Sequence, residues 1–194
     1  MARTPSTMIE LGTPCPDFAL PDTEGHTVRR DDFAHAPALL VMTICNHCPF
    51  VVHVREGLAA FAREYTARGL AIVAINANDA QAYPADAPEH MKTEHASAGY
   101  VFPYLYDETQ AVARALGAAC TPDFFLYGPD RTLVYRGQLD DSRPGNGKPV
   151  TGRDLRAACD AVLSGGQPSA EQWPSLGCNI KWKPGNDPLT NLFA

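Results

Sequence analysis

Apolar side chains form two unbroken runs, "APALLVMTI" (Ala36–Ile44) and "LAIVAINAN" (Leu70–Asn78), with a segment of different rhythm between them. A continuous apolar run between turn residues is what a strand buried on both faces requires. In the intervening segment, from Phe50 onward, Val51, Val54, Leu58, Phe61 and Tyr65 recur at three- and four-residue steps, and Gly69 supplies a stop. That spacing predicts an amphipathic helix. Strand, helix, strand in that order implies a right-handed crossover and parallel pairing.

The flanking patterns extend this unit. Upstream, "FALPDTEGHTVRRDDF" alternates around Asp22–Gly25 and predicts a short hairpin. Downstream, residues from Asp79 to Gly99 are polar, and "APEHMKTEHASAG" has room for a short helix. "DETQAVARALG" (Asp107–Gly117) reads as a clearer helix, with acids first and glycine after its end. "TPDFFLYGPDRTLVYRGQLD" gives two strands around Gly128–Arg131, an antiparallel hairpin. "TGRDLRAACDAVLSG" (Thr151–Gly165) is an amphipathic helix, and "DDSRPGNGKP" (Asp141–Pro149) before it reads as a solvated loop. Residues 166–194 carry Pro168, Pro174, Pro184 and Pro188 and are expected to be irregular; Trp173 and Trp182 predict that this tail packs on the body. The expected architecture is α/β, a mixed central sheet flanked by helices. It is expected as one domain: a hairpin extension (9–33), a core (36–165) with an insertion after its second strand, and a tail (166–194).

Composition narrows the function. The chain has 194 residues, 45% of them hydrophobic, and a net charge of −6. Acidity argues against nucleic acid as a partner, and no stretch is apolar for long enough to span a membrane. The first residues, "MARTPSTMIELGTPCPDF", hold no apolar run of signal length, so a cytoplasmic location and reduced thiols are expected. There are six cysteines: Cys15, Cys45, Cys48, Cys120, Cys159 and Cys178. No second CxxC exists, and His26, His35, His53, His90 and His95 show no metal spacing with one another, so no metal or other cofactor is expected.

The chemistry concentrates in "MTICNHCPFVVHV" (Met42–Val54), where Cys45 and Cys48 follow a buried strand and open a helix. A helix start presents unpaired N–H groups and partial positive charge, both of which stabilise a thiolate. Thiols three apart there can attack and then resolve a disulfide. His47, if protonated, favours the thiolate further. Pro49 keeps Cys48 out of the helical region, so Cys48 falls at the cap and Cys45 just outside it. The second mark is Thr121–Pro122 before "DFFLYG". A proline suits a strand's first residue, and a cis bond there turns the chain and exposes backbone beside the thiols.

With both marks the chain resembles the thioredoxin-fold superfamily. It is most similar to a peroxiredoxin-like group related to the alkyl hydroperoxide reductase and thiol-specific antioxidant proteins. "GTPCPDFALPDTEGHTVRRDDF", "CNHCPFV", "INANDAQAYPADAPEHM", "FPYLYDETQAVARALGAACTPDFFLY", "LVYRGQLDDS" and "GCNIKWK" carry the likeness. It implies a thioredoxin-like fold and thiol chemistry at Cys45 and Cys48, supported by Asn46, His47, Thr121 and Pro122. In thioredoxin-like chemistry Cys45 attacks, Cys48 resolves, and the backbone at Thr121 pairs with the substrate chain. The peroxiredoxin comparison reverses the assignment and makes Cys48 the primary thiolate.

Two departures stand out. The strand before CxxC lacks the buried acid of thioredoxins, which leaves its proton-handling role open to an Asp or Glu from elsewhere. Cys45 and Val41 replace the hydroxyl residue and the proline of the peroxidase pattern, and Arg131 and Arg136 are the candidates for its later arginine.

Cys120 and Cys178 are candidate additional redox thiols, the latter if the tail folds back toward CxxC. Cys15 and Cys159 are expected to pack. The leading expectation is a thiol–disulfide oxidoreductase acting on protein or small-molecule disulfides and recycled by a separate reductase, as monomer or homodimer. The alternatives are a peroxidase and a carrier of a soft metal ion such as copper.

Overall fold

The structure is a computed structural model, and it describes residues 3–188. In chain order the elements are β1 (Arg3–Pro5), β2 (Ala19–Pro21), β3 (Thr27–Arg29), β4 (Leu39–Thr43), α1 (Pro49–Ala67), β5 (Ala71–Asn76) and α2 (Pro88–Ala98). Then follow β6 (Tyr104–Tyr106), α3 (Ala111–Ala115), β7 (Cys120–Thr121), β8 (Asp123–Tyr127), β9 (Leu133–Gly137), α4 (Arg153–Leu163) and β10 (Leu176–Asn179). The central sheet has the order β6-β5-β4-β8-β9. β4 pairs with β5 in parallel and with β8 antiparallel, so the sheet is mixed.

The apolar runs are continuous because both faces of this sheet are covered. Leu40 and Met42 face one core with α1 and α4, and Leu39 and Val41 face the other with α3 and the N-terminal segment. The buried stripe of α1 is Val51, Val54, Leu58, Ala59, Phe61, Ala62 and Tyr65, which is the predicted spacing. β2 and β3 form the expected hairpin. No helix among the described residues is long and apolar enough to cross a membrane.

Several elements differ from expectation, among them β1 and β7, which are too short to show a period. The helix predicted over Asp107–Gly117 is only α3, because Gln110 is left-handed (φ 64°) and Asp107 folds back to accept the Ala113 N–H at 2.9 Å. β6 was not anticipated; three residues flanked by Pro103 carry too little alternation to announce a strand. The tail, expected to be irregular, contributes β10, which lies between β1 and β7 in a second, three-stranded sheet. Trp182 packs against the core as expected, whereas the Trp173 ring is 57% exposed and that residue docks through its carbonyl, which accepts the Gln138 N–H. The segment Asp141–Pro149 is anchored at its base: Asp140 accepts the N–H groups of Ser142, Thr151 and Gly152, and His53 meets Ser142 Oγ at 2.7 Å.

Candidate active site

β4 delivers the chain to Cys45, and Thr43 Oγ1 donates to Cys120 O at 2.9 Å, fastening the end of β4 to β7. Cys48 is the N-cap of α1 with extended backbone (φ −69°, ψ 123°), and Pro49 is the first helical residue. That is the arrangement dictated by a proline, which bars its predecessor from the helix and has no N–H to leave unpaired. Across from the thiols the Thr121–Pro122 bond is cis. Cys45 Sγ lies 3.4 Å from Thr121 Oγ1, and Cys48, when protonated, donates to Thr121 O at 3.2 Å. Cys45, Cys48, Thr121 and Pro122 thus come together as the sequence implied.

The two sulfurs are electrostatically unequal. The Cys48 thiol is lowered to about 5 from its ordinary 9.0. The Cys45 thiol, donating to Cys48, is the largest cause; burial opposes it, and hydrogen bonds from Cys178, Thr121 and the Val51 N–H add to it. Cys45 is pushed well above the ordinary range, first because its S–H donates a hydrogen bond to Cys48 and so holds on to its proton, then by burial and by the charge of Asp86. One proton shared between two sulfurs at a helix start produces this split.

Asp86 is the residue that the sequence did not reveal. It sits in a short 3-10 turn inside the insertion and is fully buried. Its carboxylate accepts the Asn46 N–H at 2.8 Å and the Asn78 amide at 2.7 Å, and lies 2.7 Å from His47 Nδ1. It brings a buried carboxylate to the CxxC loop, where β4 has none. The available signal was "YPADAP", an acid bracketed by two prolines in a polar stretch. Asn46 faces the same insertion, donating to Ala85 O at 2.8 Å and accepting from Tyr104 at 3.0 Å. His47, partly exposed, lies parallel to the Tyr83 ring with centroids 5.9 Å apart. Among the described residues, Cys45, His47 and Asp86 hold ligand atoms within 4.8 Å of one another and form a group able to hold a thiophilic divalent ion. A second buried acid, Asp123, follows the cis-proline; burial raises it to about 7 against hydrogen bonds that include one from Ser6 at 2.7 Å.

The remaining candidates separate clearly. Cys178 stands opposite Thr121 in the β10–β7 pairing, and its thiol is hydrogen-bonded to Cys48. Cys120 is fully buried, pushed up by burial and by the Asp123 charge, with Sγ 3.8 Å from Pro122 O. Cys15 and Cys159 are buried as expected, Cys15 raised to about 11 by burial. No disulfide joins any of the six thiols. The two arginines are not part of the site. Arg131 donates to the carbonyls of Phe33 and Ala36, and Arg136 to Ile9 O and Gln172 Oε1. The backbone edge at Thr121, assigned from the sequence to a substrate chain, is taken by β10.

The family model described as the AhpC/TSA family matches residues 11–136. The chain belongs to the AhpC/TSA family. Its fold is thioredoxin-like. A hypothetical protein from Sinorhizobium meliloti superposes with a TM-score of 0.93 at 58% identity, covering 94% of this chain and 100% of its own. An uncharacterized conserved protein from Geobacillus kaustophilus gives 0.93 at 54% identity, covering 95% and 98%. The peroxidoxin BcpB from Mycobacterium tuberculosis shares the fold, with a TM-score of 0.60 at 16% identity over 81% of this chain and 97% of that one. No curated protein matches the chain.

Proposed function

We propose that this AhpC/TSA-family protein is a thiol–disulfide oxidoreductase whose redox couple is Cys45 and Cys48, with Cys48 as the attacking thiolate. The supporting observation is the unequal sharing of one proton: Cys48 lies at about 5, and Cys45 well above 9.0. The thiolate is the reactive form. Each unit by which Cys45 rises above neutral pH costs it about tenfold in thiolate fraction and returns only about threefold in intrinsic nucleophilicity. Cys48 therefore outcompetes Cys45 at neutral pH, the reverse of the thioredoxin-like order.

In the reaction the Cys48 thiolate attacks a substrate disulfide and expels one substrate thiolate, which takes up a proton. Cys45 loses its proton and attacks Cys48 Sγ, expelling the second substrate thiolate. The chain ends with a Cys45–Cys48 disulfide, and a reductase outside this chain returns it to the dithiol. Stabilising a thiolate stabilises the reduced form, so the disulfide is poised to accept electrons. Equilibration in glutathione redox buffers, with thiol counting and disulfide mapping, tests the couple. The expected result is one reversible two-electron transition that consumes Cys45 and Cys48. Absence of that bond at every glutathione ratio removes the proposal.

A thiol peroxidase is the second reading, favoured by the Cys48–Pro49 pair and by the burial of both sulfurs, Cys45 at 2% and Cys48 at 0% exposure, which suits a small oxidant. Cys48 would take one peroxide oxygen to become a sulfenic acid, releasing water or alcohol, and Cys45 would condense with it to give the same disulfide and water. Against it stand the cysteine at position 45 and the commitment of Arg131 and Arg136 elsewhere. Cys48-dependent consumption of hydrogen peroxide distinguishes it.

A further inference from the structure

The tail strand occupies the place beside the cis-proline where an extended partner would pair. β10 runs antiparallel to β7, with Cys178 opposite Thr121 and Asn179 opposite Cys120, and β1 pairs along its other edge. The approach is close. A Cβ on Gly177 would collide with the Thr121 carbonyl oxygen, so the residue before Cys178 has no room for a side chain. Thr121 O is also the oxygen that accepts from Cys48 at 3.2 Å. The register therefore carries the Cys178 thiol to Cys48: Cys45, Cys48 and Cys178 share one apolar cluster, and Cys178 is 3% exposed.

We propose that Cys178 is a third redox thiol of this centre, exchanging with the Cys45–Cys48 disulfide to give a Cys48–Cys178 disulfide and release Cys45. The inference rests on the Cys45–Cys48 couple proposed above. In the exchange Cys178 loses its proton and its sulfur attacks Cys48 Sγ. The Cys45–Cys48 bond breaks, its electron pair leaves on Cys45, and Cys45 takes up a proton. One S–S bond is exchanged for another, with no net oxidation. Contacting sulfurs must close only to the bonded distance of about 2.05 Å.

In the reduced protein Cys178 holds its proton, raised to about 12 by burial and by its hydrogen bond to Cys48. Oxidation of Cys48 removes the second of these causes. The new bond ties the start of α1 to β10 and so couples the redox state to the attachment of the tail. Cys120, two residues before the cis-proline, stands opposite Asn179 and has its Sγ 3.8 Å from Pro122 O.

The test is disulfide mapping by mass spectrometry after oxidation of the native protein with diamide, in the wild type, Cys45→Ser and Cys45→Ala. The two variants guard against a folding defect peculiar to one of them. The wild type is expected to yield a Cys45–Cys48 bond together with the Cys48–Cys178 bond formed by exchange, and both variants a Cys48–Cys178 bond with the loss of two thiols. A wild-type Cys45–Cys48 bond combined with variants that form no bond, or a Cys48–Cys120 bond, overturns the role of Cys178 alone. A wild type in which Cys48 is bonded to neither Cys45 nor Cys178 overturns the couple and the exchange with it.

Discussion

Replacing Cys48 by serine slows the single-turnover reduction of oxidised glutathione by about two orders of magnitude or more, because it removes the only sulfur of the pair that is a thiolate at neutral pH and leaves a Cys45 thiol still held up by burial and by the charge of Asp86. Cys45→Ser is expected to keep the first attack, since the serine hydroxyl can donate to Cys48 in place of the Cys45 thiol, the largest cause of its lowering, and the helix start is unchanged. In the Cys45→Ser, Cys178→Ser double variant no neighbouring thiol resolves the adduct, and a mixed disulfide with glutathione accumulates on Cys48. Quenched-flow sampling with mass spectrometry reads both steps. If Cys48→Ser keeps its rate and Cys45→Ser loses it, Cys45 is the nucleophile, and the order is that of thioredoxin-like chemistry.

The second large effect is on stability. Asp86→Ala is expected to destabilise the fold by about 3 kcal/mol, the range for stranding buried donors and breaking a buried charged contact. The loss leaves the Asn46 N–H and the Asn78 amide without their acceptor in a fully buried place, and takes the carboxylate from beside His47. It also removes a negative charge that holds Cys45 up, so the thiol of Cys45 shifts downward. Asp86→Asn keeps the side chain's shape and one acceptor oxygen, and is expected to cost less. Urea unfolding of the reduced proteins at neutral pH measures both. A loss below about 0.5 kcal/mol for Asp86→Ala, the size of a change at an unremarkable surface position, contradicts the role given to this carboxylate.

The parts legible in the sequence are those that local rules dictate. Leu39–Thr43 and Ala71–Asn76 read as buried strands because every side chain has a core to enter, and α1 because its apolar positions keep a helical period. The place of Cys48 followed from Pro49 alone. The parts that stayed hidden depend on distant partners. Asp86 lies in a polar turn and earns its meaning from Asn46, 40 positions earlier. β10 consists of Leu176, Gly177, Cys178 and Asn179, too short to show a period, and its neighbours are β1 at the other end of the chain and β7. Gln110 reads as an ordinary helical residue, yet its amide donates to Ala77 O and Lys181 O and draws the backbone out of helical geometry. The likeness of "GCNIKWK" to its group marked the tail as able to fold back toward CxxC, without showing that it does so as a strand.

The most direct test of the central claim is the pH dependence of ultraviolet thiolate absorbance in the reduced protein, taken as the difference between wild type and Cys48→Ser. Absorbance needs no reagent to reach a sulfur buried at 0% exposure. A depressed thiol is ionised above its folded value and gains its proton as pH falls through it. The account predicts a thiolate step centred near pH 5 that Cys48→Ser lacks. A wild-type protein whose thiolate absorbance appears only near the ordinary value of 9.0, or whose step near pH 5 survives in Cys48→Ser, contradicts it.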